Sequence, residues 1–471
     1  MARPGQLAAT VAVALSAACG CVAERALPSQ PPPPPAFEHA AAGAPAAWPG
    51  QDWYRGFGSE ELDALVDYAA THNTDLAQAQ ARVAQADARA RQAGAAILPT
   101  VGGVASGNYL AGNSPQGSGH ELDWLAMLSA SYEVDFWGKN RATARSALLA
   151  AGASRAASAT IQLTMLGGVA DEYFQVLALR ERLSVARSNR EAARQVLQAV
   201  EARFSAGLAT PTDAALQRAA FDKAQIAVAD IEQREVEART ALALLLGRAP
   251  EGFEVGGSSL ESLSEPQVSA GLPSELLRRR PDLAAAEANL RAANADLNAA
   301  QAALFPSLSL TAAAGVQNPA LPATVLTIGG TGPSLSLAAN LTQPIFDRGR
   351  LRAKRDEASA HEQELIAAYR AAIVAALVDV ENALGALQHL DATRGPEQES
   401  LAQSERAFEG ARLRYQHGSG DLLTLLEAQR GLYGARDEFV QYRLARLEAL
   451  VALCKALGGG WQMSGAAHAA S

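Results

Sequence analysis

Residues 73–99, NTDLAQAQARVAQADARARQAGAAILP, and residues 280–306, RPDLAAAEANLRAANADLNAAQAALFP, are two versions of one segment. Asp75-Leu76 falls on Asp282-Leu283, and Ala79, Ala81, Ala86, Ala88, Ala93, Ala95 and Ala96 all fall on alanines. The match continues outward: Arg203-Phe204 falls on Arg414-Tyr415, Gly207 on Gly418 and Gly247 on Gly458. Self-similarity at fixed spacing marks a duplicated structural unit, so the chain is two tandem copies.

Each copy presents the same order of patterns. A helix is expected at about 59–96 and again at 273–304, from Ala, Glu, Gln and Arg content and an apolar stripe at three-to-four spacing. Two strand-like runs follow, at about 98–110 and 122–136, then 306–315 and 333–346, each pair parted by a Gly/Ser/Asn/Pro-rich loop. A very long helical pattern comes next (about 138–205 and 349–416). After a short Gly-containing break there is a further helix (about 211–246 and 421–457). At 1.5 Å per residue the longest would reach roughly 100 Å, which implies coiled-coil-like packing. Gly138 and Gly349 are expected where strand turns into helix, and Pro99 and Pro306 where helix gives way to extended chain. The boundaries read as a first repeat over 51–247, a linker at 248–272, a second repeat over 273–458 and a tail at 459–471.

The strands alternate. Trp124, Ala126, Leu128, Ala130, Tyr132, Val134 and Phe136 share one face, against Asp123, Ser129, Ser131, Glu133 and Asp135 on the other. Leu335, Leu337, Ala339, Leu341 and Ile345 repeat the pattern against Ser334, Ser336, Asn340 and Thr342, and Leu308 and Leu310 alternate with Ser307, Ser309 and Thr311. Runs of about ten residues suit a tilted strand crossing a bilayer, although a soluble sheet over a core gives the same alternation. No uncharged apolar stretch of helix-spanning length is evident, so an exported membrane chain of this kind spans as a barrel. Four strands cannot close one, the smallest having about eight, and open edges are not tolerated in lipid. Spanning therefore demands an oligomer.

Export is written at the N-terminus. Arg3 precedes the uncharged apolar stretch Leu7 to Ala18, so residues 1–18 read as a signal peptide. The run ALSAACGC resembles a bacterial lipobox. Cys19, after Ser16-Ala17-Ala18, and Cys21, after Ala18-Cys19-Gly20, both fit its loose pattern, though neither has Leu three places before. Cysteines one residue apart do not make an unstrained disulfide. Residues 19–50, including PSQPPPPPAFEHAAAGAPAAWPG, read as a lipid-anchored Pro-rich tether with no packed core. Cys454 sits in a helical pattern as a packing residue.

Composition removes other classes. A net charge of −9 on 471 residues does not suit nucleic acid. The seven histidines form no metal-ligand spacing, and the four methionines form no cluster that would suit soft metals. There is no nucleophile elbow, P-loop or dinucleotide fingerprint, and Gly329 to Gly332 reads as a surface loop, so no enzyme and no cofactor is expected.

With these residues in view, the chain resembles the TolC-like outer-membrane efflux family, in the lipoprotein (OprM/NodT-type) branch serving resistance–nodulation–division systems. LLRRRPDLAAAEANLRAANADLNAAQAALFPSLSL (276–310) is similar to the most recognisable stretch of that branch. YEVDFWGKNR (132–141), RFSAGLATPTD (203–213), QPIFDRGRLRA (343–353), LLTLLEAQR (422–430) and KALGGGW (455–461) resemble its other blocks, in the same order. The resemblance implies a mainly α fold with a membrane β-barrel contribution: a homotrimer pooling four strands per chain into a twelve-stranded β-barrel above a periplasmic α-barrel. Residues 248–272 and the C-terminal tail would lie in an equatorial region. It further implies a passive export duct in the outer membrane of a Gram-negative cell, carrying drugs or other small toxic compounds from the periplasm or inner-membrane pump to the exterior and held by a covalent lipid on the mature N-terminal cysteine. Its partners would be a periplasmic membrane-fusion adaptor, an inner-membrane pump and outer-membrane lipid.

The breaks between long helices are then the tips furthest from the membrane. Gly207, Leu208, Ala209 and Thr210 match the adaptor-contacting motif, with Ala206 in place of the more usual Val, and Gly418 marks the second tip. Gly207 and Gly418 suit left-handed C′ positions, Thr210 an N-cap before Pro211, and Asp421 the equivalent cap. GSGDLL resembles the tip that rings the closed entrance, with the acidic residue one place late. Tyr415, Asp421 and Glu427 are candidates for the gate, where converging carboxylates would give pH- and cation-sensitive closure. A type I secretion or metal-ion conduit would share the fold, and a non-spanning periplasmic coiled-coil lipoprotein scaffold would share the pattern.

Overall fold

In the computed structural model, which describes residues 34–40, 47–114, 117–317, 327–328 and 332–462, the duplication holds helix by helix. The first copy runs α1 (Glu60–His72), α2 (Thr74–Ala95), β1 (Thr100–Ser114), β2 (Gly117–Val134), α3 (Lys139–Ser205) and α4 (Pro211–Leu245). The second runs α5 (Pro273–Arg279), α6 (Pro281–Ala302), β3 (Ser307–Gln317), β4 (Thr327–Ile328), β5 (Gly332–Thr342), α7 (Arg350–Gln416) and α8 (Leu422–Ala456). Helices α2 and α6 have 22 residues each, α3 and α7 have 67, and α4 and α8 have 35. Cys19 and Cys21 lie outside the described residues.

The single helices expected over 59–96 and 273–304 are each broken in two. Asn73 (ψ 127°) and Arg280 (ψ 124°) sit extended at the break. Asn73 accepts from the Leu76 amide at 2.9 Å, capping α2, and its amide donates to the Leu245 carbonyl at 2.6 Å. It thus satisfies an orphan donor of one helix and an orphan acceptor of another. In the second copy the work is divided: Arg280 donates to the Ala456 carbonyl at 3.2 Å while Asp282 and Asp379 hold its guanidinium, and Asp282 accepts from the Leu283 amide at 2.9 Å at the start of α6. Gly247 and Gly458 make the close approach possible. Both have positive φ, and a Cβ there would lie 2.3 Å from the His72 carbonyl oxygen and 2.0 Å from that of Arg279.

The chain divides into two compact units, each drawing on both copies. One contains Ala81–Arg155 and Ala285–Ala371, and with them the sheet, in the order β1-β2-β3-β5-β4. Its register runs Thr100↔Ser131, Val134↔Leu308 and Ser307↔Thr342, all antiparallel. β4, which the sequence reading did not anticipate, pairs only Thr327↔Ser336 and Ile328↔Leu335. Observed strands differ from expectation by a few residues at their ends, where pattern and pairing part company.

The other unit contains Ala156–Ala284 and Ala372–Ser471, together with α1 and the start of α2. Its core joins Phe57, Leu62, Phe174, Leu177, Leu242, Val451 and Cys454, so Cys454 is a packing residue. Burying each large side chain stabilises by about 1.5–3 kcal/mol. The loop after α4 contributes Phe253, Val255 and Leu260 to this core. Ion pairs tie the helices at its margin: Arg182 holds Asp437 at 2.7 and 3.1 Å, Arg443 holds Glu181 at 3.0 Å and Arg446 holds Asp391 at 2.6 Å.

The tether expectation needs correcting. Phe37 is 5% exposed, packed against Leu276, Leu283 and Val380, and Glu381 accepts from the Glu38 amide at 2.7 Å. Trp48 lies under the Arg279 guanidinium at 4.5 Å and donates to Glu275. A Pro-rich stretch thus docks wherever it supplies an aromatic to fill an apolar groove. α7 contains an 18-residue window apolar enough by length and composition to be considered for spanning, but Arg370, Asp379, Glu381 and Asp391 interrupt its apolar part, so the expectation of no uncharged helix of spanning length stands.

Candidate functional site

The four long strands leave their apolar face bare. Leu128, Leu337 and Leu341 are 66%, 61% and 71% exposed, and Trp124 and Leu335 stand on the same faces. A soluble sheet would cover such a face, since large contiguous apolar patches are not left to water. At the base of the sheet aromatic side chains gather. Trp137 stacks on Phe305 at 4.7 Å, meets Phe136 edge-on at 5.1 Å and donates to the Pro306 carbonyl at 2.8 Å. Aromatic rings at the end of an apolar band, here around the amphipathic Trp137, suit a membrane interface.

Each junction from strand to long helix is capped by an aspartate. Asp135 accepts from the Asn140 and Arg141 amides at 3.0 and 2.8 Å, and Asp347 from those of Gly349 and Leu351 at 2.9 and 3.0 Å. Chiefly through the Leu351 amide, Asp347 is held below its ordinary pKa. Gly138 and Gly349 have positive φ, as a sharp turn into a helix requires.

At the first tip, α3 ends in a left-handed Gly207 (φ 73°), with the Leu208 amide donating to the Arg203 carbonyl at 2.8 Å. Thr210 then caps α4 reciprocally with Asp213, and Pro211 takes the first helical position. Leu208 projects 70% exposed from the turn. The second tip repeats the backbone: Gly418 has φ 76° and the Ser419 amide donates to Arg414 at 2.9 Å. Asp421 caps α8, accepting from the Thr424 amide and hydroxyl, each at 2.8 Å.

These bonds bear on the gate candidates. Tyr415 is 9% exposed, packed with Val200, Ala411 and Leu425, with the Arg203 guanidinium 5.1 Å above its ring. It belongs to the tip's own core, which corrects its assignment to an aperture. Asp421 and Glu427 are exposed. The Thr424 amide, then its hydroxyl, hold Asp421 below its ordinary pKa of 3.8, so it stays charged through the usual carboxylate range.

Comparison with known proteins decides what this arrangement serves. The outer membrane efflux protein profile matches residues 65–248 and 272–459, one stretch per copy. The chain belongs to the outer membrane efflux protein family. Among relatives in this family, the pyoverdine export outer membrane protein OpmQ of Pseudomonas aeruginosa is 43% identical over 91% of both chains. The toluene efflux pump outer membrane protein TtgI of Pseudomonas putida is 31% identical over 91% of this chain and 95% of its own, and the Escherichia coli cation efflux protein CusC 29% over 87% and 88%. Among solved structures, the outer-membrane channel OprN superposes with a TM-score of 0.84 at 26% identity, covering 94% of this chain and all of its own. The open-state MtrE channel of Neisseria gonorrhoeae gives 0.80 at 31%, covering 92% and 98%. This efflux-family chain is thus an outer-membrane channel of tripartite export systems, with a barrel-forming sheet and a long-helix periplasmic part.

Sequence reasoning missed Asn73, Arg280 and Phe37. Pro281 did signal the second break, since Pro at a first helical position marks a restart. Nothing comparable stands at Asn73-Thr74 except the capping preference of Asn itself.

Proposed function

We propose that three copies of this chain assemble into one passive, non-catalytic duct. It would be anchored by lipid on Cys19 or Cys21, with no other cofactor, and docked on a periplasmic adaptor and an inner-membrane resistance–nodulation–division pump. The observation carrying this reading is the open sheet: among the described residues β1 pairs only with β2, and β4 covers two residues of β5. Both edges need a neighbouring chain in lipid. The repeats at 51–247 and 273–458, joined by the linker at 248–272, would each supply half of a protomer's strands and long helices. The tip residues Gly207, Leu208, Ala209, Thr210 and Gly418 meet the adaptor, and Leu208, apolar and exposed, is the natural anchor.

For cargo, 43% identity to the pyoverdine exporter against 29% to the cation channel favours a pyoverdine-class compound over metal ions. Deleting the gene should trap such a compound in the periplasm while leaving metal tolerance unchanged. Loss of copper or silver tolerance without periplasmic retention would favour the metal conduit. Asp421→Ala should raise single-channel conductance in planar bilayers and weaken block by divalent cations, whereas unchanged values would remove Asp421 from the gate.

A further inference from the structure

The two sheet-to-helix junctions differ in their charge. In the first, Lys139 pairs with Glu133, Arg141 with Asp135 and Arg155 with Asp87, and Arg145 also has a partner. The carboxylates that neutralise the helix start come from the end of β2 (Glu133), the residue after it (Asp135) and α2 (Asp87). In the second, β5 ends on Asn340-Leu341-Thr342 and offers none. Past it come Ile345 and Phe346, 92% and 83% exposed, and then Arg348, Arg350, Arg352, Lys354 and Arg355. Of these cations only Arg355 makes an ion pair within 4 Å among the described residues, with its neighbour Asp356. Asp347 feels the Arg350 charge, but its oxygens are committed to backbone amides. Arg348 holds a positive φ (53°), the one non-glycine described residue to do so, a conformation unfavourable for a long side chain.

An exposed apolar pair beside uncompensated guanidiniums, at the end of a membrane strand, has a matching surface in lipid. Acyl chains take the apolar side chains, and phosphates take the cations as charge-assisted, often bidentate partners. A second copy of the chain matches less well. The edge that would meet β5 is β1, and from Arg89 to Val104 the segment leading into it carries Arg89 and Arg91 and no carboxylate. We propose that residues 345–355 of the second junction are a docking surface for anionic phospholipid in the periplasm-facing leaflet of the outer membrane. This rests on the reading that the strands span that membrane as part of an oligomer.

The test uses the full-length protein in mild detergent, with native mass spectrometry of the oligomer after adding phosphatidylglycerol or phosphatidylcholine at equal concentration. The wild type should retain phosphatidylglycerol roughly tenfold better, and Arg350→Gln with Arg352→Gln and Lys354→Gln should bring the two close to equal. Arg350→Lys with Arg352→Lys should keep the preference, as should Lys139→Gln with Arg141→Gln in the compensated junction. The proposal is overturned if the wild type shows no preference or if the triple variant keeps it. It is equally overturned if the triple variant dissociates in phosphatidylcholine where the wild type does not, for that assigns the cations to contact between copies. If oligomer and outer-membrane residence persist without lipid preference, only this inference fails; if no oligomer forms, the spanning reading fails first.

Discussion

At the first hairpin tip a threonine caps the helix and an aspartate stands three residues in. At the second tip the two have changed places. Thr210 and Asp213 bond reciprocally, with the Asp213 amide donating to the Thr210 hydroxyl at 3.2 Å and the Thr210 amide donating to the Asp213 carboxylate at 2.9 Å. Asp421 and Thr424 make the corresponding pair with the carboxylate moved to the cap itself. Both solutions satisfy an orphan amide at the helix start and place negative charge where the helix dipole favours it. Stability therefore does not dictate which residue sits at the turn. The exchange brings the charge of the second tip closest to the turn, where a gating role can use it.

The largest effect that would break this picture of matched copies lies away from the tips. Gly458→Ala and Gly247→Ala would each drive a Cβ into a backbone carbonyl at positive φ, so each should cost several kcal/mol and abolish the folded oligomer on unheated electrophoresis. Gly207→Ala and Gly418→Ala face open space at similar φ and should cost only about 1–2 kcal/mol in urea unfolding. Equal tolerance at the two kinds of site would refute the docking of each helix break on a helix end.

Next in size is the cap. Thr210→Ala should lose about 1 kcal/mol of stability. Thr210→Asp combined with Asp213→Thr, which rebuilds the second tip in the first, should restore it. A double variant no better than Thr210→Ala would show that the two tips are not interchangeable.

The smallest effect contrasts Glu237 with Glu448, the same residue type at the same position of each copy. Glu237 is exposed and accepts from Gln233 at 2.9 Å. Glu448 is half-buried, and burial, then the charges of Asp171 and Glu172, push it up to about 7; Asp171 itself, mainly through burial, rises to about 6 despite Lys455 at 3.9 Å. A carboxyl with a raised folded pKa favours the fold while protonated. That advantage fades as pH rises from the ordinary 4.5 through about 7. Glu448→Gln should raise the Tm by a few degrees at alkaline pH and flatten its fall across neutrality. An unaltered slope in Glu448→Gln would show that the carboxyl is solvated in the assembled protein.

Much of this fold was legible because duplication repeats every signal. The alanine register of 73–99 on 280–306, the alternation at Trp124–Phe136 and the paired glycines at 207/418 and 247/458 each support the other copy's reading. What was not legible depends on long-range partners. Asn73 breaks an alanine-rich helix because the end of α4 supplies a carbonyl to bond, and Phe37 orders part of a Pro-rich tether because α5 and α7 leave an apolar groove. Tyr415 looked like a gate from its place in the chain, yet Val200 and Leu425 draw it inward. At the candidate site, cap chemistry was visible in Thr210 and Asp421, but the charge contrast between the two junctions rests on ion pairs, such as that of Arg155 with Asp87 on α2, that only the folded chain brings together.

The central claim is that this chain makes a pore only as part of an oligomer that closes its open sheet. Native mass spectrometry of the unheated, detergent-extracted protein, with planar-bilayer recording of the same fraction, tests it directly. A species of three chains that conducts, and that boiling converts to non-conducting monomer, is the expected result. A conducting monomer, or a stable trimer without conductance even when Asp421 and Glu427 are neutralised, would contradict it.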